Sequence, residues 1–251
     1  MASLGRLSTG IAHEIKNPLN FINNFSEVSA ELVDELKTAI ANNDKEEINY
    51  IMENLSFNTK KIDEHGKRAD AIVRSMMQHS RGGQGEFEDY ELNQLIKEYT
   101  DLAYHGKKSQ NSDLDVLVNM QLDSSVTRVS IIPQKIGQVL QNIIENAIDS
   151  MWDHKKKTDG DYRPEIQISS RCSNGYVEIK IADNGPGIPE HIKEKIFEPF
   201  FTTKPTGEGT GLGLSLSYDF ITQIHNGKLE LADSELGGAA FVISLPFSPS
   251  A

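Results

Sequence analysis

The chain has 251 residues, 37% hydrophobic and 25% charged, with 19 Gly and 9 Pro, the profile of a folded globular protein that excludes collagen-like and disordered readings. Its one cysteine, Cys172, cannot form an intrachain disulfide, and no Cys/His cluster has metal-ligand spacing. A net charge of −12, with no basic cluster larger than Lys155-Lys156-Lys157, disfavours nucleic-acid binding, and no apolar run reaches the roughly 18 residues of a membrane span. The expectation is a cytoplasmic segment without membrane contact of its own, whether or not a full-length parent is anchored.

From Leu4 to Ile40 apolar residues recur three or four positions apart (Leu4, Leu7, Ile11, Ile15, Ile22, Phe25, Val28, Leu32 and Leu36), which predicts a long amphipathic helix. Asn42-Asn43-Asp44 breaks the pattern, and Ile48, Ile51, Leu55, Ile62, Ala69, Ile72 and Met76 resume it in a second helix over roughly 45–80. Each helix would be on the order of 50 Å long, and a lone hairpin of that length cannot bury its apolar stripes. Two chains are therefore expected to pair into a four-helix bundle, making the protein a homodimer. Residues 80–86 carry three glycines and no apolar side chain, a linker signal. The expected domains are 1–81, a flexible linker at 82–86, and 87–251.

Beyond the linker the pattern predicts a helix near 91–104, strands near 114–121 and 128–132, and a helix from Pro133 to about His154. Strands follow at 165–172 and 175–182, then a Gly/Pro-rich loop, a short helix at 189–196, a second Gly-rich loop, a helix at 212–225 and a closing hairpin of 227–233 with 239–246. Helices and mostly hairpin-linked strands of this kind form an α+β layer with a mixed sheet. Residues 1–83 carry a net charge of −2 and the remainder −10. An acidic domain that binds an anion needs a metal or aimed backbone amides.

Four constellations carry chemistry. In the first helix, a step of about 100° per residue puts His13 and Asn17 on the solvent face one turn apart, with Glu14 beside the apolar seam. Pro18, well inside the helix, costs about 3 kcal/mol by propensity, and such a cost beside an exposed histidine points to a site. On spacing alone a plain surface histidine explains the same residues as well. In the helix after Pro133, Ile136, Leu140, Ile143, Ala147 and Met151 form the core side, while Gln138, Asn142, Asn146 and Asp149 line another face. Asparagines run against helix propensity there, and an amide oxygen is a hard ligand suited to Mg²⁺. Third, Asp183-Asn184-Gly185-Pro186-Gly187 follows an alternating strand and offers a carboxylate to an amine donor, although a plain turn would look the same. Fourth, Gly207 to Leu214 opens a helix with four glycines that can cradle phosphate. A dinucleotide-binding reading of those glycines fails without a parallel βαβ unit around them. Between the loops, Phe197, Phe200 and Phe201 could anchor a mobile loop carrying Lys204.

In their order and spacing these segments resemble the catalytic core of bacterial two-component sensor histidine kinases over nearly the whole chain. His13 with Glu14 and Asn17 resembles the phosphoacceptor H box, 138–149 the N box, 183–187 the G1 box, 197–201 the F box and 209–213 the G2 box. The resemblance implies a dimerisation and histidine-phosphotransfer hairpin, then an α/β-sandwich ATP-binding domain of the kind shared with gyrase, Hsp90 and MutL. It further implies ATP and Mg²⁺ as cofactors and a response-regulator receiver domain as partner. Asn146 resembles the Mg²⁺-coordinating asparagine and Asn142 its partner one turn earlier. Asp183 resembles the carboxylate that bonds the adenine amino group, in a pocket shaped by Gly185 and Gly187. Gly209, Thr210, Gly211, Leu212 and Gly213 resemble the base of the lid over the phosphates, with Lys204 in a short lid. Asp149 stands where many long-lidded relatives carry a lysine and is given no phosphate-binding role. Gyrase-type hydrolases place a glutamate base one turn before the metal asparagine; Asn142 occupies that position, which favours transfer to histidine over hydrolysis. Of the other histidines, His65 and His79 fall on the apolar stripe of the second helix, where packing is expected. Cys172 alternates with Ile166 and Ile168 and is expected to be a core thiol.

Overall fold

The computed structural model describes residues 2–81, 85–158, 160–205 and 209–247, with the side chains of residues 2–11, 13, 14 and 74–81 outside the description. The chain divides into two compact units, Met1–Arg81 with Thr202–Thr210, and Gly82–Phe201 with Gly211–Ala251.

The first unit is a helical hairpin, α1 (Ala2–Ala41) and α2 (Lys45–Arg81). The helix α1 runs through Pro18, whose missing N–H interrupts the ladder without ending it. At the turn Asn43 takes a left-handed φ of 55°, which asparagine tolerates. Asp44 Oδ1 then accepts the Glu47 N–H at 3.1 Å, capping α2, and the first-turn acids Glu46 and Glu47 complement the helix dipole. Pro18, Ala39, Ile51 and Ile72 are buried. Leu19, Phe21, Val28, Val33 and Ile40 of α1 and Tyr50, Met52, Phe57 and Val73 of α2 remain exposed. His65 stacks on Phe21 with ring centroids 4.5 Å apart, the packing role its spacing predicts. The side chain of His79 lies outside the described residues.

The second unit contains β1 (Glu88–Glu91), α3 (Leu92–Gln110), β2 (Leu117–Leu122), β3 (Arg128–Ile131), α4 (Pro133–Lys157), β4 (Glu165–Ser173), β5 (Tyr176–Asp183), α5 (Gly213–Asp219), β6 (Lys228–Asp233) and β7 (Ala239–Pro246). The main sheet is mixed, in the order β2-β4-β5-β7-β6, with β2 parallel to β4 and every other pair antiparallel. Ile166 and Ile168 of β4, Val177, Ile179 and Ile181 of β5, Leu229 of β6 and Ile243 and Leu245 of β7 pack with Ile136, Leu140, Ile143, Ala147 and Met151 of α4 in one core. The α3–α4 contact closes over Gly137, where any Cβ would enter the Tyr99 ring.

Four features differ from the sequence reading. Residues 88–91 form a strand, pairing with β3 in a separate two-stranded sheet. The sequence Glu-Asp-Tyr-Glu has no alternation, and Tyr90 alone packs against the core, so its distant partner is what makes it a strand. The expected helix at 189–196 is a single tight turn, Glu190–Ile192, and the helix expected to reach 225 is α-helical only to Asp219, then widens over Phe220–Ile224. Cys172 is exposed, not a core thiol. The alternation holds through Ser170, but β4 outruns the core before Cys172, whose thiol faces the Ser125 carbonyl oxygen at 3.8 Å. Among the described residues no helix is long and apolar enough to cross a membrane.

Candidate functional site

Asp183 ends β5 only 4% exposed. Its Oδ1 accepts the Gly185 N–H at 2.9 Å and the Ala239 N–H at 3.1 Å, and its carbonyl accepts Ser234 Oγ at 2.8 Å and the Gly238 N–H at 3.1 Å. Burial pushes the carboxyl above its usual range, with the two N–H donors opposing. Oδ2 receives no hydrogen bond from another described residue, which leaves it able to accept from a ligand. The close approach of β7 requires Gly238: a Cβ there would overlap Asp183 Oδ1 and its carbonyl oxygen. Gly187, at φ +73°, lies against the Gly238 carbonyl, and Gly185 lies against Met151 and Ser150 of α4. The sequence reading missed Gly238; its signal was the Gly237-Gly238 pair directly before the small residues that open β7. A cleft of about 580 Å³ adjoins this corner, lined in part by Gly187, Ile188, Lys193, Gly238 and Ala239.

On α4, Asn142 Nδ2 donates to the Gly213 carbonyl at 3.2 Å and to Ser217 Oγ at 3.3 Å, fixing the first turn of α5. One turn on, Asn146 is half-buried, and its side chain makes no hydrogen bond to another described residue. A hard amide oxygen so placed fits a Mg²⁺ ion held mainly by substrate phosphates and water. Asp149, on the same side of α4, is paired with Lys107 of α3, so its charge is offset. Nothing in the pattern of either helix pairs Lys107 with Asp149 in advance.

The loop between the aromatics and α5 is pinned at its base. Phe200 and Gly211 take φ values of +68° and +67°, and the Phe200 N–H donates to the Gly211 carbonyl at 2.9 Å. A Cβ at Gly211 would overlap the Phe200 backbone, so the closure demands glycine there. Phe197 anchors this base edge-on to Phe241, with ring centroids 6.4 Å apart. Within the loop, Thr202 Oγ1 accepts the Lys204 N–H at 3.1 Å and faces Gly209. Lys204, Gly209 and Thr210 are half-buried, Leu212 is buried, and Gly207 lies outside the described residues.

The structure thus brings Asn142, Asn146, Asp183, Gly185, Gly187, Gly211, Leu212 and Gly213 together in the second unit. Asn17 is exposed on α1, while the side chains of His13 and Glu14 lie outside the described residues. Among the described residues no cluster of three His, Cys, Asp or Glu side chains could hold a metal.

Helices over a mixed sheet, an asparagine-bearing helix facing a buried strand-end aspartate, and a loop closed at its base by Gly211 define a nucleotide-binding domain. Residues 131–249 match the family described as histidine kinase-, DNA gyrase B- and HSP90-like ATPase. The catalytic domain of histidine kinase ThkA superposes with a TM-score of 0.54 at 34% identity, covering 65% of this chain and 97% of that one. The crystal structure of ThkA in complex with response regulator protein TrrA covers 99% of this chain and 63% of that one, at 29% identity and a TM-score of 0.59. The signal transduction histidine-protein kinase AtoS of Escherichia coli is 31% identical over 252 residues, 99% of this chain but 36% of AtoS. The chain belongs to the sensor histidine kinases, and it spans well under half the length of such curated relatives.

Proposed function

We propose that the chain is the catalytic core of a protein-histidine kinase, which transfers the γ-phosphoryl group of ATP to His13 and then to an aspartate of a response-regulator receiver domain. The observation that carries this reading is Asp183: a buried carboxylate with Oδ1 held by two backbone amides and Oδ2 left open suits an adenine amino group. Residues 1–81 serve as the dimerisation and phosphotransfer hairpin, 82–86 as linker and 87–251 as the ATP-binding domain. The nine exposed apolar side chains among the described residues of the hairpin support a homodimeric bundle. The site of action is cytoplasmic.

In the phosphorylation step a neutral His13 ring nitrogen attacks the γ-phosphorus. A P–N bond forms, the bond to the β,γ-bridging oxygen breaks, ADP leaves, and Glu14 accepts the ring proton or fixes its tautomer. Asn146 is the residue that would hold Mg²⁺, whose chemistry is neutralisation of the phosphate charge. Gly209, Thr210, Gly211, Leu212 and Gly213, with Lys204, close over the phosphates. The engagement of Asn142 by Gly213 and Ser217 supports transfer over hydrolysis, because a structural amide stands where hydrolases of this fold keep their base.

Incubation with γ-labelled ATP and Mg²⁺ tests the reading: the label should be acid-labile and base-stable, as phosphohistidine is, and an acid-stable label would overturn it. The same helix supports a phosphatase reaction on the receiver domain. Asn17 is exposed and can orient a water, so Asn17→Ala should slow loss of label from a phosphorylated receiver while sparing autophosphorylation. Glu14→Ala should do the reverse. Equal losses in both reactions for both variants would end that division of roles.

A further inference from the structure

Beside Asp183, the segment joining α4 to β4 is tied to the loop after β5 by a set of hydrogen bonds. The Tyr162 hydroxyl donates to Asn184 Oδ1 at 2.9 Å and lies 3.2 Å from the Asn184 carbonyl oxygen. Asn184 Oδ1 also accepts the Glu165 N–H at 2.9 Å, Asn184 Nδ2 donates to the Arg163 carbonyl at 2.8 Å, and the Asn184 N–H donates to the Glu165 carbonyl at 3.1 Å. The Tyr162 ring stands edge-on to His154 near the end of α4, centroids 4.9 Å apart. Burial and the nearby Asp183 carboxylate push the Tyr162 hydroxyl up to about 12, so it stays a donor throughout the physiological range.

The adjacent peptide is therefore held on the side away from β7. Asp183 Oδ1 is positioned from the β7 side by the Ala239 N–H and from its own loop by the Gly185 N–H. The residue between Asp183 and Gly185 is Asn184. Loosening Asn184 would let the Gly185 N–H swing and, with it, the direction in which Oδ2 points. We propose that Tyr162 and Asn184 form a positioning latch that sets the Asp183 carboxylate for discrimination of the nucleotide base, so that an exocyclic amine is preferred over a carbonyl at the same place. The inference rests on the nucleotide-binding reading of Asp183. Tyr162 does not touch the reacting atoms; it acts through Asn184.

The test compares ATP with ITP, which carries a carbonyl where adenine carries its amine, as competitors for a fluorescent ATP analogue and as substrates in single-turnover phosphorylation. A site built around one aimed hydrogen bond discriminates strongly, and losing the aim erodes discrimination before it erodes chemistry. Tyr162→Phe, which removes one oxygen, should lower the ATP-over-ITP affinity ratio by about fivefold, chiefly by weakening ATP. The phosphorylation rate at saturating ATP should stay within about twofold of wild type. Asn184→Ala should act in the same direction, and the double variant should lose little more than the larger single loss, the mark of one coupled unit. An unchanged ratio in both variants, or equal weakening of ATP and ITP together with a lowered melting temperature, would reduce the latch to a structural feature and overturn the inference. Absence of any ATP preference in the wild-type protein would overturn the Asp183 reading itself, a separate outcome.

Discussion

In the hairpin, Ile51 and Ile72 are buried while Phe21, Val28, Tyr50, Met52 and Phe57, among others, face solvent. In the nucleotide-binding domain, α4 and strands β4, β5 and β7 bury a continuous isoleucine-, leucine- and valine-rich core within one chain. A two-helix layer has only one internal seam, whereas helices over a five-stranded sheet cover a whole face. The domain can therefore stand alone, and the hairpin is left with a face suited to a second copy. Buried polar atoms without a hydrogen-bond partner occur in both regions, Asn58 Nδ2 and His65 Nδ1 on α2 and Trp152 Nε1 on α4, while Asp183 and His225 of the domain are held by named bonds.

The largest expected effect comes from separating the two regions chemically. His13→Gln should abolish phosphorylation while ATP affinity stays within about twofold, since nucleophile and nucleotide pocket are on different units. Label retained by that variant would break the comparison at its root.

Asp183→Asn comes next. It should weaken ATP at least about tenfold, a loss of about 1.4 kcal/mol or more, because the amide can no longer accept the amine as a carboxylate does. The same change should not destabilise the fold, since an amide oxygen can still accept the Gly185 and Ala239 N–H groups. The folded carboxyl lies above its unfolded value of 3.8, so its contribution to stability is fully present below that value and is lost as pH rises through the folded value. Urea unfolding of variant and wild type should therefore diverge in the variant's favour as the pH rises above 3.8. A variant less stable throughout that window would show that the charge helps to hold the fold.

A third change addresses the hairpin. Phe21 is 49% and Phe57 53% exposed in the single chain. Replacing either by Glu should shift sedimentation equilibrium from dimer to monomer while nucleotide binding persists. An unaltered dimer would move the contact to another face.

The smallest effect belongs to His225, which joins the end of the α5 segment to the start of α4. Its Nε2 accepts the Ile132 N–H at 3.0 Å, its Nδ1–H donates to the Phe220 carbonyl at 2.7 Å, and Phe87 lies against its ring. Burial pushes its ionisation below the ordinary 6.5. The stability it contributes is fully present above 6.5 and is lost as pH falls from there towards the folded value, because only the unfolded chain takes up the proton. Wild type should lose stability over that window relative to His225→Gln, measured by thermal unfolding at matched pH values. Parallel curves would mean the ring titrates normally. This contact also bears on the linker: a Cβ at Gly85 would overlap Ile132, so Gly85→Ala should disturb the domain edge as well as stiffen the chain.

The sequence by itself determined the features that repeat with a fixed period or stand in unbroken order. The two long helices follow from apolar spacing, the core side of α4 from Ile136, Leu140, Ile143, Ala147 and Met151, and the hairpin-linked strands β4 and β5 from alternation. These are local properties, because a side chain's face is dictated by its neighbours three, four or two positions away. The family resemblance was legible because its boxes occur in order. Tertiary structure alone decided whatever depends on residues distant in the chain. Glu88–Glu91 became a strand only by pairing with β3, Cys172 was exposed because β4 outruns its cover, and Asp149 was paired with Lys107 of another helix. Gly238 was fixed by the approach of β7 to Asp183, and Tyr162 by the return of the chain past Asn184. Such contacts follow from close packing, which sequence spacing does not encode.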